Sequence, residues 1–204
     1  MSSLIDWGIA ERALSGEAQS GDLHFVKEVP AGVLVSVVDG LGHGAEAAAA
    51  AQTAVAALDR FSDEPVLQLL PQCHRALVGT RGVVMSVAFF DRAEPAMTWL
   101  GVGNVEGILL FNGRAARPAR STLIAPGGIV GSELPRLQAQ LVPLAPGDTL
   151  IFASDGIKAG FADEPVDDAS PQQLADRILT RFCKGTDDAL VLVARYRGAA
   201  GAGP

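Results

Sequence analysis

A chain of 204 residues is the size of one domain. Its 49% apolar and 19% charged residues supply a buried core and exclude a disordered chain. Sixteen Lys and Arg against 23 Asp and Glu leave a net charge of -7, which argues against counterion-driven binding to nucleic acid or to an anionic membrane surface.

The amino-terminal stretch carries Asp6, Glu11, Arg12 and Glu17 and lacks the apolar run of roughly 7 to 15 residues that a secretory signal requires. Strands are expected over Ile5 to Ala13, Leu23 to Val29 and the β-branched run Val33 to Val38. That last run reads as a central buried strand, and it stops at Asp39-Gly40-Leu41-Gly42-His43-Gly44. Ala45 to Arg60 is alanine-rich with few β-branched residues and predicts a helix lying close against a sheet. Its apolar part, Ala47 to Leu58, is far short of the ~20 residues needed to span a bilayer. No membrane association and a soluble cytoplasmic protein are expected. A second helix is expected over Val66 to Val78, with Pro65 near its first turn.

Val83 to Asp91, Ala96 to Val102 and Val105 to Phe111 read as an antiparallel meander, with Gly103-Asn104 as a hairpin turn. Arg114 to Pro135 reads as a long loop or flap. Leu137 to Pro143 and Thr149 to Ala153 are strands around a Pro146-Gly147-Asp148 turn. Ser170-Pro171-Gln172-Gln173 has the form of a capping box opening a helix to about Cys183. Ala189 to Ala194 is a closing buried strand, and residues 198–204 are a flexible tail after one domain spanning 1–197. Strands in runs, interrupted by helices that do not alternate with them, favour an α+β fold. Cys73 and Cys183 lack Cys-x-x-Cys spacing and read as reduced core residues.

Hydrophobic strands repeatedly deliver aspartates at their edges: Ser20-Gly21-Asp22, Val38-Asp39-Gly40, Ser154-Asp155-Gly156 and Thr186-Asp187-Asp188. Taken singly, Asp39-Gly40 or Asp155-Gly156 is a turn dipeptide. Taken together, they offer oxygen ligands from rigid positions, which suits hard divalent cations such as Mg²⁺ or Mn²⁺. A glycine after Asp39 allows close backbone approach, making the Gly40 carbonyl a further candidate ligand. Two ions ~3.5 to 4 Å apart share a carboxylate and acidify a water for in-line attack on phosphorus.

These four motifs, in this order, resemble those of the metal-dependent protein serine/threonine phosphatases, the protein phosphatase 2C family. The Asp-Gly-x-Gly-His-Gly form is similar to the SpoIIE-like bacterial branch. Gly101-Val102-Gly103-Asn104-Val105 and Gly128-Ile129-Val130-Gly131 resemble its single-domain stressosome phosphatases. The resemblance implies an α-β-β-α sandwich, two antiparallel sheets flanked by helices, and two Mn²⁺ or Mg²⁺ ions at a sheet edge. It implies Asp39 bridging both ions, Asp155 and Asp187 completing one site, the Gly40 carbonyl joining the other, and Asp22 nearby. Asp188 is placed behind these ligands. Asp39 and His43 are the candidate catalytic residues, with His43 either protonating the leaving seryl oxygen or orienting its loop. His24 and His74 read as structural.

Eukaryotic members hold the phosphate with an arginine near the amino terminus; Arg12 stands there without a surrounding motif, so the substrate-binding residue stays unassigned. Arg114, Arg117 and Arg120 in the flap are further cations that could meet a phosphorylated partner. The implied targets are phosphorylated STAS-domain stressosome proteins, with an anti-sigma factor antagonist as the alternative target and a non-catalytic interaction module as the alternative role. An ATP-binding kinase is disfavoured because the glycines after Asp39 fall one position late for its nucleotide motif. A dinucleotide site is disfavoured because Gly101, Gly103 and Gly107 precede no helix.

Overall fold

The computed structural model describes residues 3–113, 119–166 and 168–198. In chain order these form β1 (Ile5–Arg12), β2 (Asp22–Val29), β3 (Gly32–Gly40), α1 (Ala45–Arg60), α2 (Val66–Leu77), β4 (Val83–Asp91), β5 (Ala96–Val102), β6 (Glu106–Leu110), β7 (Arg120–Thr122), β8 (Gln140–Pro143), β9 (Thr149–Ala153), a short 3₁₀ turn (Phe161–Asp163), α3 (Pro171–Phe182) and β10 (Ala189–Tyr196). Residues 199–204 of the expected tail lie outside the described residues, as do Arg114 and Arg117. No helix among the described residues is long and apolar enough to cross a membrane.

Ten strands make two antiparallel sheets, ordered β1-β10-β9-β6-β7 and β2-β3-β4-β5-β8. The period of two along β3 sends Val33, Val35 and Val37 into the layer between the sheets, where they meet Trp99, Leu150, Phe152 and Leu192. Leu34 and Val38 point the other way, toward α1 and α2. Because both faces of β3 are covered, its apolar run is continuous rather than alternating. The α3 face of the other sheet closes the stack with Leu174, Ile178, Ile151 and Val191. The layers are therefore helix, sheet, sheet, helix, as the motif resemblance implied.

Small side chains set the helix-to-sheet spacing. Ala47, Ala50, Ala51 and Ala54 are fully buried, and a Cβ on Gly40 would come within 2.2 Å of the Ala47 carbonyl oxygen. Gly156 is a seat of the same kind, since a Cβ there would meet the Asp188 carbonyl at 1.9 Å. Neither Asp39-Gly40 nor Asp155-Gly156 is therefore a hairpin turn. The capping box at α3 forms in full, with the Ser170 hydroxyl accepting from Gln173 N–H and the Gln173 side chain accepting from Ser170 N–H.

Three expectations change. β4 and β5 pair as a hairpin, but β6 leaves them and pairs with β9 and β7 in the other sheet. Gly103-Asn104 is thus a sheet crossing, with Gly103 at φ +93°. The Ser36 hydroxyl donates to Ser86 O at 2.9 Å and the Ser86 hydroxyl to Val105 O at 2.8 Å, which pins the crossing segment. The Pro146-Gly147-Asp148 turn likewise joins β8 of one sheet to β9 of the other. The described part of the expected flap is stitched to the sheets, through β7 on β6 and a Val83–Val130 bridge. Cys73 is buried as expected, whereas Cys183 is half-buried at the carboxyl end of α3.

The tight Gly40 seat yields a stability prediction. Gly40→Ala must push α1 off β3, costing at least about 2 kcal/mol and lowering Tm by roughly 4–8 °C. Calorimetry showing an unchanged Tm would refute this packing.

Candidate metal centre

The same period of two that buries Val33, Val35 and Val37 places Asp39 on the face of β3 that looks at the other sheet. The β2–β3 hairpin pairs Val29 with Gly32, and that register brings Asp22 directly opposite Asp39. From the facing sheet, β9 ends one residue before Ser154-Asp155 and β10 begins directly after Asp187-Asp188. Ser154 holds these two ends together: its N–H donates to Leu190 O at 3.0 Å, and its hydroxyl accepts from Leu190 N–H at 2.9 Å.

Asp39, Asp155 and Asp187 line one cavity of about 160 Å³, with Asn104 at its side and Leu41, Val84 and Ile129 as apolar wall. Asp22 is 2% exposed behind them, and its Oδ2 has no hydrogen-bond partner. Burial raises the Asp22 carboxyl to about 7, with the Ser154 hydroxyl opposing and Asp188, Asp155 and Asp187 adding repulsion. Burial also raises Asp39 to about 8, with Asp22 the foremost of four repelling carboxylates.

This donor set fits hard divalent cations: the acidic ligands are all oxygen, mutually repelling, and include a buried unpartnered carboxylate oxygen. Among the described residues, no three His, Cys, Asp or Glu side chains already enclose a single point. A cavity with carboxylates spread around its wall suits ions that keep several waters and take few protein ligands each.

Other residues are placed as follows. Gly40 is buried beside the cavity but does not line it. The His43 imidazole is 60% exposed, pairs with Glu17 Oε1 at 2.7 Å and does not line the cavity. Arg12 ends β1 opposite Ala189, and Arg120 pairs with Asp163 at 2.6 Å; neither lines the cavity. His74 Nδ1 accepts from Gly131 N–H at 3.0 Å, and His24 packs on Trp7, so both sit in structural roles. Asp188 accepts from Leu14 N–H at 2.7 Å and Gly21 N–H at 2.8 Å, holding the segment that delivers Asp22.

Sequence reading missed Asn104, whose amide donates to Asp155 Oδ2 at 2.9 Å. Its signal was the Gly103-Asn104 dipeptide, read as a hairpin turn. Lys184 was missed too: its ammonium donates to the Asp155 carbonyl.

Raised carboxyls make the metal-free protein sensitive to alkali. The folded chain holds protons on Asp22 and Asp39 that the unfolded chain loses near the ordinary value of 3.8. The cost of ionising them is absent below that value and grows as pH rises toward the folded values of about 7 and about 8. At about 1.36 kcal/mol per proton per pH unit, the metal-free protein should gain roughly 2 kcal/mol or more between pH 8 and pH 6. Asp39→Asn should remove most of that gain. Thermal denaturation in chelator checks both, and a wild-type stability that is flat or rises with pH over this range contradicts the crowding.

Comparison with known proteins bears on the same residues. Over 94 residues the chain is 28% identical to the phosphoserine phosphatase RsbX of Bacillus subtilis (strain 168), a match covering 46% of this chain and 47%, about half, of that curated relative. A solved chain from the bacterial stressosome, described as a modular system adapted to control secondary messenger signalling, is 32% identical. It superposes with TM-score 0.84 over 94% of this chain and 99% of that one. RsbX in complex with magnesium shares the fold at TM-score 0.84 and 18% identity, covering 96% and 97% of the two chains. Residues 30–197, which include Asp39, Asp155 and Asp187, match the family described as stage II sporulation protein E, and this chain belongs to that SpoIIE family.

Proposed function

We propose that this chain is a Mn²⁺- or Mg²⁺-dependent protein serine/threonine phosphatase that acts on phosphorylated STAS-domain stressosome proteins, with residues 1–197 as its single catalytic domain. The observation that carries the reading is the convergence of Asp39, Asp155 and Asp187 on one cavity, with Asp22 directly across the hairpin from Asp39. Family membership and likeness to a phosphoserine phosphatase and to a stressosome chain support the reaction and the target.

In this reading Asp39, Asp155 and Asp187 on the cavity wall, with Asp22 and the Gly40 carbonyl beside it, would hold two ions. Bound ions would supply Lewis acidity, making a water acidic enough to attack phosphorus and offsetting phosphoryl charge. The chain's own residues set the geometry. Asn104 fixes the Asp155 carboxylate through its amide, and Asp188 fixes the approach of Asp22 through two backbone N–H groups. Leu41, Val84 and Ile129 keep one wall of the cavity apolar, which strengthens electrostatic interactions inside it. Of the two roles open to His43, its Glu17 pairing and exposure support bracing of the glycine-rich loop.

Hydrolysis of p-nitrophenyl phosphate should require Mn²⁺ or Mg²⁺, cease in chelator and fall more than about 100-fold in Asp39→Ala. Activity that survives chelation or this substitution removes the mechanism. A phosphorylated STAS-domain scaffold should be hydrolysed faster than a phosphorylated anti-sigma factor antagonist; the opposite preference reassigns the target.

Two variants test the supporting residues. Asn104→Ala should weaken Mn²⁺ binding by about tenfold or more in calorimetric titration. His43→Ala should leave kcat nearly intact, where loss of a general acid would cost about 100-fold or more.

A further inference from the structure

A separate hollow of about 290 Å³ opens at the end of β3 opposite the aspartates. Leu34, Phe89, Thr98 and Leu141 lie opposite one another in a row across β3, β4, β5 and β8, on the face that meets α1 and α2. The helices cover only part of that row. Leu34 is buried beneath them, Phe89 and Thr98 are half-buried in the hollow, and Leu141 on the edge strand is 71% exposed. Val66, the first residue of α2, also lines the hollow, and Leu67 beside it is 48% exposed.

Three carboxylates stand around this apolar floor: Asp63 and Glu64 from the α1–α2 connection and Asp91 from the end of β4. None of the three takes part in an ion pair among the described residues. Lys27, opposite Leu34 in register, is engaged by Asp59 at 2.8 Å and does not neutralise them. An apolar groove that runs out to a sheet edge beneath unpaired carboxylates fits an apolar side chain flanked by Lys or Arg.

Position and charge indicate which molecule brings that side chain. At roughly 3.3 Å per residue, the hollow and the Asp39 end of β3 lie about 25 Å apart along the strand. A folded domain about 30 Å across spans that length, whereas p-nitrophenyl phosphate does not. The net charge of -7 opposes the approach of a phosphoprotein, and cations on that partner meeting the carboxylate rim offset the repulsion.

We propose that this groove is a docking site for the phosphoprotein substrate, taking an apolar side chain flanked by Lys or Arg from its folded domain while the phosphoresidue occupies the aspartate cavity. This rests on the phosphatase reading above. It adds a recognition surface to which none of the candidate metal ligands belongs.

The test compares wild type, Leu141→Ala and the double variant Asp63→Lys/Glu64→Lys in Mn²⁺, on a phosphorylated STAS-domain scaffold and on p-nitrophenyl phosphate. Both variants should raise KM for the phosphoprotein, the double variant about tenfold, while kcat on it and both constants for p-nitrophenyl phosphate stay within about twofold. Added salt should raise the wild-type KM for the phosphoprotein and lower that of the double variant, as attraction in one and repulsion in the other are screened. An unchanged KM for the phosphoprotein overturns the docking site. So does equal damage on both substrates, which would place the effect on folding or on the cavity. A dimer in sedimentation equilibrium that the double variant dissolves, with phosphoprotein KM unchanged, gives the groove to a second copy and also overturns it. Calorimetric titration of the phosphorylated scaffold into the proteins in chelator separates this inference from the phosphatase reading. An inactive wild type that binds the scaffold more tightly than the double variant does defeats only the latter, and binding that is absent or equal in the two defeats the former.

Discussion

Antiparallel pairing gives Asp22 and Asp39 no choice of neighbour. The tight β2–β3 hairpin sets them directly opposite each other on one face, where like charges destabilise a sheet. The second sheet adds Asp155 and Asp187 across the gap, and burial removes the water that would screen them. A chain folded only for stability would place apolar residues at these positions, continuing the Val33, Val35, Val37 series. The repulsion is tolerated because the rest of the sandwich holds the strand ends in place.

That hold has identifiable parts. The core between the sheets runs up to the cavity, with Trp99, Phe90 and Phe152 fully buried. A hydroxyl relay from Ser36 through Ser86 to the Val105 carbonyl anchors the crossing that carries Asn104. Asp188 ties the β1–β2 connection to the start of β10, and Ser154 ties β9 to β10. The glycine seats at Gly40 and Gly156 let α1 and the Asp188 backbone close on the strand ends. Asp22 and Asp39 therefore sit on paired strands, and Asp155 and Asp187 in the short segments flanking β9 and β10, all held by surrounding hydrogen bonds and packing, the condition for a preorganised site.

Much of this was legible from residue order. The alanine run marked α1 at its observed bounds, and β-branched or aromatic runs marked β4, β5 and β9 equally closely. The aspartates were legible because each follows or precedes a strongly apolar strand. The partner sheet of each strand was not legible, since Gly103-Asn104 and Pro146-Gly147-Asp148 carry the same turn chemistry whether they close a hairpin or cross between sheets. That ambiguity hid Asn104. The Asp22–Asp39 register was obscured because its turn is Pro30-Ala31, which lacks the Asn-Gly or Asp-Gly signal of a tight hairpin. Lys184 was invisible for a different reason: a lone cation in a loop has no pattern until the fold brings it to the Asp155 carbonyl.

A crystal soaked in Mn²⁺ and measured for anomalous scattering reads the central claim directly. The account predicts two peaks about 4 Å apart, both inside the cavity between the sheets, with the Asp39 carboxylate within bonding distance of each. Density confined to surface carboxylates, with Asp22 and Asp39 sharing a proton and no ion between the sheets, would contradict it.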